Sequence, residues 1–180
     1  LSPTNIGSTV FREGNGGSLN LNTSKLIVED GASVNTTSLN SGNGGNITIN
    51  ASESIEVKGI SPNSPIASNI GASVPVLPVV FRQSFGLPDK PSGNAGDITI
   101  NTPKFQISNG GIVAVNNEGV NDGGSLIVNT DSLRLDNKGI VLADTVSGEG
   151  GNILLNIKSD LILQNRSIIN ARSSRTGNGG

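Results

Sequence analysis

The 180-residue chain contains no cysteine, histidine, tryptophan, tyrosine or methionine, and only four phenylalanines. Without cysteine it can form neither disulfides nor thiolate metal sites. The sequence also gives no indication of whether the protein resides in an oxidising or a reducing compartment. Without histidine as well, it cannot form histidine-based catalytic triads or ordinary zinc sites. These absences exclude several common classes of enzyme and of metal-binding domain.

Charge is also scarce, because Asp, Glu, Lys and Arg make up 14% of the chain against about a quarter in typical proteins. The formal net charge is −2, so neither sign dominates and the sequence predicts no nucleic-acid partner. No apolar run is long enough to cross a membrane, and no signal peptide is visible, so we expect no membrane insertion. We interpret residues 1–180 as an internal segment of a longer protein, with any targeting signal upstream.

A glycine- and asparagine-rich motif repeats along the chain. The stretch GNGGNITIN at 42–50 returns in altered forms at 14–22, 93–101, 121–129 and 148–156, and GNGG at 177–180 opens another copy. Successive copies start 28, 51, 28, 27 and 29 residues apart, so the long step is one normal repeat plus a 23-residue insertion. A period of about 28 residues indicates stacked structural units.

Each repeat contains three short runs in which apolar residues alternate with polar ones, which is typical of strands. In the copy at 42–50, for example, Ile47 and Ile49 form the first run, and Ile55 and Val57 form the second. In the third run the predicted inward residues are Ala32, Val34, Ile112, Ala114, Ile140, Leu142, Ile168 and Asn170.

Strands separated by such short turns cannot pair within one repeat, but each can pair with the same strand of the next repeat. The sequence therefore predicts an all-β fold, a right-handed parallel β-helix with three strands per coil and five to six coils. We expect one such segment over residues 1–180.

One asparagine column follows the first strand of every coil. Asparagine tolerates turn conformations, and its amide can bond to the equivalent amide above and below. We therefore predict a structural asparagine ladder, and we expect the preceding glycines to supply positive φ at the corner. The ladder residues are Asn22, Asn50, Asn101, Asn129 and Asn156.

The motif does not fit a common ligand loop. Phosphate binding would need a Lys-Ser/Thr ending and a following helix, which no copy has. The stretch GNAGDITI resembles a calcium β-roll unit, but the aspartate position of the five copies reads Ser18, Asn46, Asp97, Ser125 and Asn152. One carboxylate in five cannot form a charged cation cage. We predict no metal, cofactor or catalytic site, and leave weak calcium binding at Asp97 open.

The stretches GNGGNITINASESIEVKG and GNILLNIKSDLILQNRSIINARSSRTGNGG resemble repeats of filamentous haemagglutinin-like exoproteins, the secreted partners of bacterial two-partner secretion. The similarity spans essentially the whole chain. It implies a right-handed parallel β-helix, export through an outer-membrane transporter to the cell surface or medium, and a role in adhesion, aggregation or matrix. It implies no catalytic residues, because these repeats form the shaft.

The insertion lies within residues 60–92 and holds six of the eight prolines. We expect 69–74 to supply the third strand of its coil, and 60–68 and 75–92 to leave the rod as loops. The apolar loop residues either fold back over one face, which their number favours, or present a contact surface. They are Val76, Leu77, Val79, Val80, Phe81, Phe85 and Leu87; with Arg82, this loop is where we expect any specific binding.

The leading functional hypothesis is a non-enzymatic shaft of a secreted adhesin or extracellular filament, whose partners are neighbouring coils, other copies, and host-cell or matrix glycans or proteins. The alternative is a carbohydrate-active β-helix enzyme, which needs two carboxylates about 5–10 Å apart. The acidic residues scatter over corners and outward positions, which favours the shaft. Because open β-helix ends expose unpaired backbone, we also expect the isolated segment to be poorly soluble.

Overall fold

The computed structural model describes residues 4–149 and 151–174. Two parallel sheets contain all the strands of this part of the chain. The strands are β1 (Asn5–Val10), β2 (Leu19–Glu29), β3 (Ser33–Ser38), β4 (Ile47–Lys58), β5 (Asn69–Val74), β6 (Ile98–Ser108), β7 (Ile112–Asn117), β8 (Leu126–Asp136), β9 (Ile140–Thr145), β10 (Ile153–Leu163) and β11 (Ile168–Ser173), with one helix, α1 (Val79–Phe85).

Long and short strands alternate along the chain and go to different sheets. The short strands stack in the order β1-β3-β5-β7-β9-β11, and the long strands in the order β2-β4-β6-β8-β10. Leu19 pairs with Ile47, 28 residues later, whereas Ile47 pairs with Ile98 across the insertion. The predicted all-β parallel β-helix of about six coils is therefore confirmed.

The first two predicted runs of each coil form one continuous strand, so the prediction of three separate strands per coil is wrong in this respect. Register shifts occur just after the asparagine column, between Asn50 and Ser54 in β4 and between Ile157 and Asp160 in β10. Such bulges bend a strand without ending it. Each long strand therefore contributes two faces to the coil.

The core is a set of columns in which like residues stack on like. Ile47 packs in one column with Ile98 and Leu126, and all three side chains are fully buried. Phe105, the largest buried side chain, lies in register between Ile55 and Leu133. Because each layer repeats the previous one, burial of a side chain depends on having a coil on both sides.

The inward face of the short strands differs from the prediction. Val34 is buried as expected, but the chain also buries Val113, Val115, Val141 and Ala143. The residues predicted to point inward in β7, β9 and β11 lie on the outer face instead: Ile112, Ala114, Ile140, Leu142, Ile168 and Asn170. The alternation is ambiguous here because both faces of these strands carry apolar side chains, and a shift of one residue exchanges the faces.

Candidate functional sites

The glycine corner is shaped by close contact between coils. A Cβ on Gly45 would lie 2.1 Å from the carbonyl oxygen of Gly17, and one on Gly96 would lie 2.1 Å from that of Gly45. Among the described motif glycines, only Gly14 and Gly148 have positive φ. The expected role in positive φ is therefore wrong for most copies; these glycines leave room for the backbone of neighbouring coils.

The polar residues of this corner bond to the backbone of the next coil. The Asp97 N–H donates to Asn46 Oδ1 at 2.9 Å, and the Ser125 N–H donates to Asp97 Oδ1 at 2.7 Å. The Asn46 N–H donates to Ser18 Oγ at 3.2 Å. Ser, Asn and Asp are interchangeable here because each offers one acceptor oxygen. Within residues 4–149 and 151–174, no three metal-ligating side chains cluster.

The asparagine column forms a directional hydrogen-bonded ladder. Asn50 Nδ2 donates to Asn22 Oδ1 at 2.8 Å, and Asn101 Nδ2 donates to Asn50 Oδ1 at 2.7 Å. Asn129 bonds in the same way to Asn101 at 2.7 Å, and Asn156 to Asn129 at 2.8 Å. The ladder therefore begins on the amide nitrogen of Asn22 and ends on the amide oxygen of Asn156.

The ladder lines an open groove of about 930 Å³ that crosses all five long strands. The bend of each long strand at its asparagine places these side chains outward in the concave part of the surface. Thr102, Pro103 and Thr130 extend the lining. Thr130 Oγ1 donates to the carbonyl oxygens of Pro103 and Ser132 at 3.1 and 3.0 Å, so its hydroxyl is committed to the backbone. The groove thus combines hydrogen-bonded asparagine and threonine side chains with apolar ones from Ala51, Pro103, Leu155 and Ile157.

The chemistry of the groove is limited by its single carboxylate. Asp131 is the one acidic residue among the described lining residues, and its Oδ1 lies 2.9 Å from Lys158 Nζ. Glycoside hydrolysis uses two carboxyl groups that flank the scissile bond. Among its described lining residues, the groove therefore presents one carboxyl group and not a pair.

A second set of side-chain bonds between coils, which the sequence analysis missed, lies at the corner between each long strand and the following short strand. Asn109, Asn137 and Asn165 all have positive φ, and Asn137 Nδ2 donates to Asn109 Oδ1 at 2.8 Å. Asn165 Nδ2 donates to Asp136 Oδ1 at 2.8 Å; this bond, followed by one from Arg134, lowers the pKa of Asp136 below its ordinary value of 3.8. The sequence signal is an Asn or Asp after four of the five second runs, with Gly59 at the same place in the coil of β4.

The insertion leaves the coil on both sides of β5, as predicted. Its first part is closed by an antiparallel bridge between Ile60 and Ala67. Its second part was expected to be a loop, but it contains α1, which follows Pro78 and ends at Gly86 with φ of 63°. The Leu87 N–H donates to the Arg82 carbonyl oxygen at 2.9 Å, which closes the last turn. Proline before the helix and left-handed glycine after it explain its bounds.

The candidate contact residues of the insertion do not act alike. Val79, Val80, Phe81 and Phe85 are exposed, Val80 to 72%. Arg82 instead pairs with Asp89 and donates Nε–H to the Leu77 carbonyl oxygen at 2.9 Å. The favoured prediction that these apolar residues fold back over the rod is wrong for the four exposed ones. Arg82, not these apolar residues, is the helix side chain that bonds to the rest of the loop.

Phe11, from the corner of the first coil, extends the exposed surface of α1. The rings of Phe11 and Phe85 lie 6.1 Å apart between centroids, tilted by 52°. Such tilted aromatic pairs are mutually attractive. We call the exposed surface formed by Phe11, Val79, Val80, Phe81 and Phe85 the α1 patch.

The loop that carries α1 is fixed to neighbouring coils. The Val76 N–H donates to Glu118 Oε2 at 2.8 Å, and the Ser92 N–H donates to the Asn40 carbonyl oxygen at 3.1 Å. The Val120 N–H donates to the Pro91 carbonyl oxygen, also at 3.1 Å. Both ends of the excursion are therefore anchored, and the α1 patch is presented in a defined position.

The stacked coils, the asparagine ladder and the excursion around β5 define this chain as a parallel β-helix repeat protein. Comparisons with protein-family models, curated proteins and solved structures gave no match. In the described part of the chain, no helix has the length and apolar character needed to span a membrane.

Proposed function

We propose that this chain is a non-enzymatic shaft segment of a secreted adhesin or extracellular filament protein, of the filamentous haemagglutinin-like type. The support is that the recurrent residues of the motif make the contacts between coils. The motif glycines admit the neighbouring backbone, and the motif asparagines bond between coils. Because the motif residues hold neighbouring coils together, we assign the motif a structural role. Solenoids commonly serve as extended scaffolds.

The observation that carries the adhesive part of the proposal is the α1 patch. Phe81 and Phe85 are 56% and 57% exposed, on a helix with no buried residue. Apolar side chains grouped on an anchored loop mark contact sites on soluble proteins, because leaving them in water is unfavourable. Aromatic residues are also the side chains most often found at binding hot spots.

Location and partners follow from the resemblance of the repeats. The proposed protein passes through an outer-membrane transporter and acts at the bacterial surface or in the surrounding matrix. Its proposed partners are host-cell or matrix proteins or glycans. A chain without cysteine suits this route, since its fold needs no oxidation step.

A carbohydrate-active enzyme is the less supported alternative. The groove along the asparagine ladder could accommodate an extended polymer, but its described lining offers one carboxylate, Asp131, engaged by Lys158. Release of reducing sugar from plant or bacterial polysaccharides by the purified chain, lost in Asp131→Asn, would favour the enzyme over the shaft.

The test of the adhesive surface replaces Val79, Val80, Phe81 and Phe85 with serine. We expect binding of the labelled chain to epithelial cells and to collagen- or fibronectin-coated surfaces to fall at least about tenfold. The matched control carries Leu154→Ser and Ile162→Ser, which remove exposed apolar side chains from the rod itself. Equal binding by the patch variant and the native chain would contradict the proposed contact site.

A further inference from the structure

The asparagine ladder leaves hydrogen-bonding groups unused along the groove. A side-chain amide carries two N–H donors and an oxygen with two lone pairs. The ladder uses one N–H and one lone pair on each of Asn50, Asn101 and Asn129. Among the described residues, the other N–H and lone pair of each amide have no partner. Asn50 is exposed and the other two are half-buried, so all three are accessible from the groove.

Three consecutive positions of each long strand shape the groove. The asparagine column forms one wall, the buried second column forms the floor, and the third column forms the opposite wall. In β4, β6 and β8 the floor residues are Ala51, Thr102 and Thr130, and the opposite wall consists of Ser52, Pro103 and Asp131. Because these three strands have a coil on each side, the groove does not depend on the ends of the described chain.

The spacing of the ladder matches an extended sugar chain. Neighbouring parallel strands, and with them the ladder asparagines, lie about 4.8 Å apart. This is close to the advance of one sugar along an extended glycan with equatorial linkages. Such a glycan carries hydroxyls on both edges, and each hydroxyl both donates and accepts. A glycan lying along the rod therefore brings one sugar to each asparagine, where its hydroxyls can pair with the unused N–H and lone pair.

An extended peptide matches the same groove less well. It advances about 3.3–3.4 Å per residue, so its backbone groups fall out of step with the asparagines within a few coils. It also cannot join the sheet as a further strand here, because β4, β6 and β8 already have a partner strand on each side. The spacing therefore favours a glycan over a peptide.

The charges of the groove favour an uncharged ligand. Asp131 and Lys158 are the charged residues among its described lining, and Asp131 Oδ1 lies 2.9 Å from Lys158 Nζ. Binding of a phosphate- or sulfate-bearing polymer depends on several unpaired cations. A polyanion would meet one lysine here, which is already paired with a carboxylate.

We propose that the groove along the asparagine ladder binds a neutral glycan in an extended conformation, with the glycan parallel to the rod axis and one sugar per coil. The site lies on the rod itself and is separate from the α1 patch. The proposal rests on the extracellular shaft function proposed above and assigns a ligand class to a second surface. Repetition of a weak contact along a shaft gives multivalent attachment, which is tighter than any one contact.

The test compares two oligosaccharides of identical composition. Cellohexaose has equatorial linkages and is extended, whereas maltohexaose has axial linkages and curves. Each is titrated into the native chain, and saturation-transfer NMR measures binding, since this method detects weak ligands on large or self-associating proteins. We expect cellohexaose to bind at least about tenfold more tightly, because it alone keeps its hydroxyls in step with successive asparagines. A heparin hexasaccharide should bind more weakly than cellohexaose.

Two variants locate the binding in the groove. Ser52→Ile fills the wall opposite the ladder and removes no ladder bond, and Asn101→Leu removes the unused groups of one amide with little change in size. Each should weaken cellohexaose binding about tenfold. Ser54→Ile is the matched control and should bind normally, because Ser54 lies outside the groove on the same strand. Circular dichroism establishes folding, and if Asn101→Leu does not fold, Ser52→Ile decides the result.

Failure of cellohexaose to bind, or equal binding of cellohexaose and maltohexaose, would overturn the proposed site. So would heparin binding as tight as that of cellohexaose, or equal loss in Ser52→Ile and Ser54→Ile. The serine variant of the α1 patch should bind cellohexaose as the native chain does. A native chain that binds cells through the α1 patch but does not bind cellohexaose would refute the glycan groove and leave the shaft-and-patch function intact.

Discussion

Phe105 in the regular coils and Phe85 in the insertion show two ways of placing the same side chain. Phe105 is fully enclosed because Ile55 and Leu133 stack on either side of it. Phe85 lies on α1, outside the columns, where its aromatic neighbour is Phe11 and more than half of its surface is exposed. Burial in this molecule comes from stacking along the rod, and a segment that leaves the columns loses it.

The largest difference in stability should appear when each of these two phenylalanines is replaced by alanine. We expect Phe105→Ala to lower the free energy of unfolding by about 4 kcal/mol, because it leaves a cavity between two fixed layers. Phe85→Ala should cost less than about 1 kcal/mol. Urea unfolding followed by circular dichroism measures both. Similar losses in the two variants would show that α1 is packed on the rod.

The next effect tests how closely the coils approach at the glycine corner. Gly45→Ala should cost about 3 kcal/mol, since its Cβ would meet the backbone of Gly17 at 2.1 Å. Gly17→Ala is the control, because its nearest neighbour would be Ser8 Oγ at an ordinary 3.6 Å. The corner is not tightly packed if thermal unfolding midpoints of the two variants agree.

A smaller loss of folding stability should distinguish ladder asparagines from other asparagines on the rod. Asn101→Ala removes one bond to Asn50 and one from Asn129, and should cost about 1–2 kcal/mol. Asn116→Ala, on the outer face of β7, should change stability by less than about 0.5 kcal/mol. The same urea titration compares them, and a loss at Asn116 as large as at Asn101 would argue against the ladder.

The smallest effect concerns the ion pairs on the outer face of the long strands. The side-chain bond from Lys25, followed by one from Lys58, lowers the pKa of Glu56 below its ordinary value of 4.5. The ion pairs of Glu56 with these two lysines therefore stabilise the fold above about pH 4.5. This contribution is lost as pH falls through the lowered pKa of Glu56. For an exposed pair it is less than about 1 kcal/mol.

Thermal unfolding of the native chain and Glu56→Gln tests this contribution. The native midpoint should fall more than that of the variant between about pH 5 and about pH 3. Parallel pH profiles for the two chains would show that Glu56 contributes nothing.

Most of the rod could be predicted from the sequence, because the 28-residue spacing and the columns at Ile47, Ile55 and Asn50 carry periodic information. The motif GNAGDITIN also indicated where the insertion returns to the rod. The inward face of β7 and β9 could not be predicted, since Ile112 and Val113 fit either face equally well. The role of Gly45 was ambiguous too, because positive φ and close approach select the same residue.

The candidate contact surface was only partly predictable. Composition identified Val79, Val80, Phe81 and Phe85 as unusual, but neighbouring valines disfavour a helix, and their partners depend on the path of the whole loop. Arg82 illustrates the limit: its sequence position suggests a contact residue, whereas its guanidinium is engaged by Asp89 and Leu77 within the loop.

Amide hydrogen exchange of the native chain measures most directly whether the coils hold the fold and the insertion stands outside it. The amides of β4, β6 and β8 are paired on both sides and should exchange slowest, near the rate of global unfolding. Those of α1 should exchange many times faster, because no residue of this helix is buried. Equal protection of α1 and β6 would contradict the division between scaffold and contact surface.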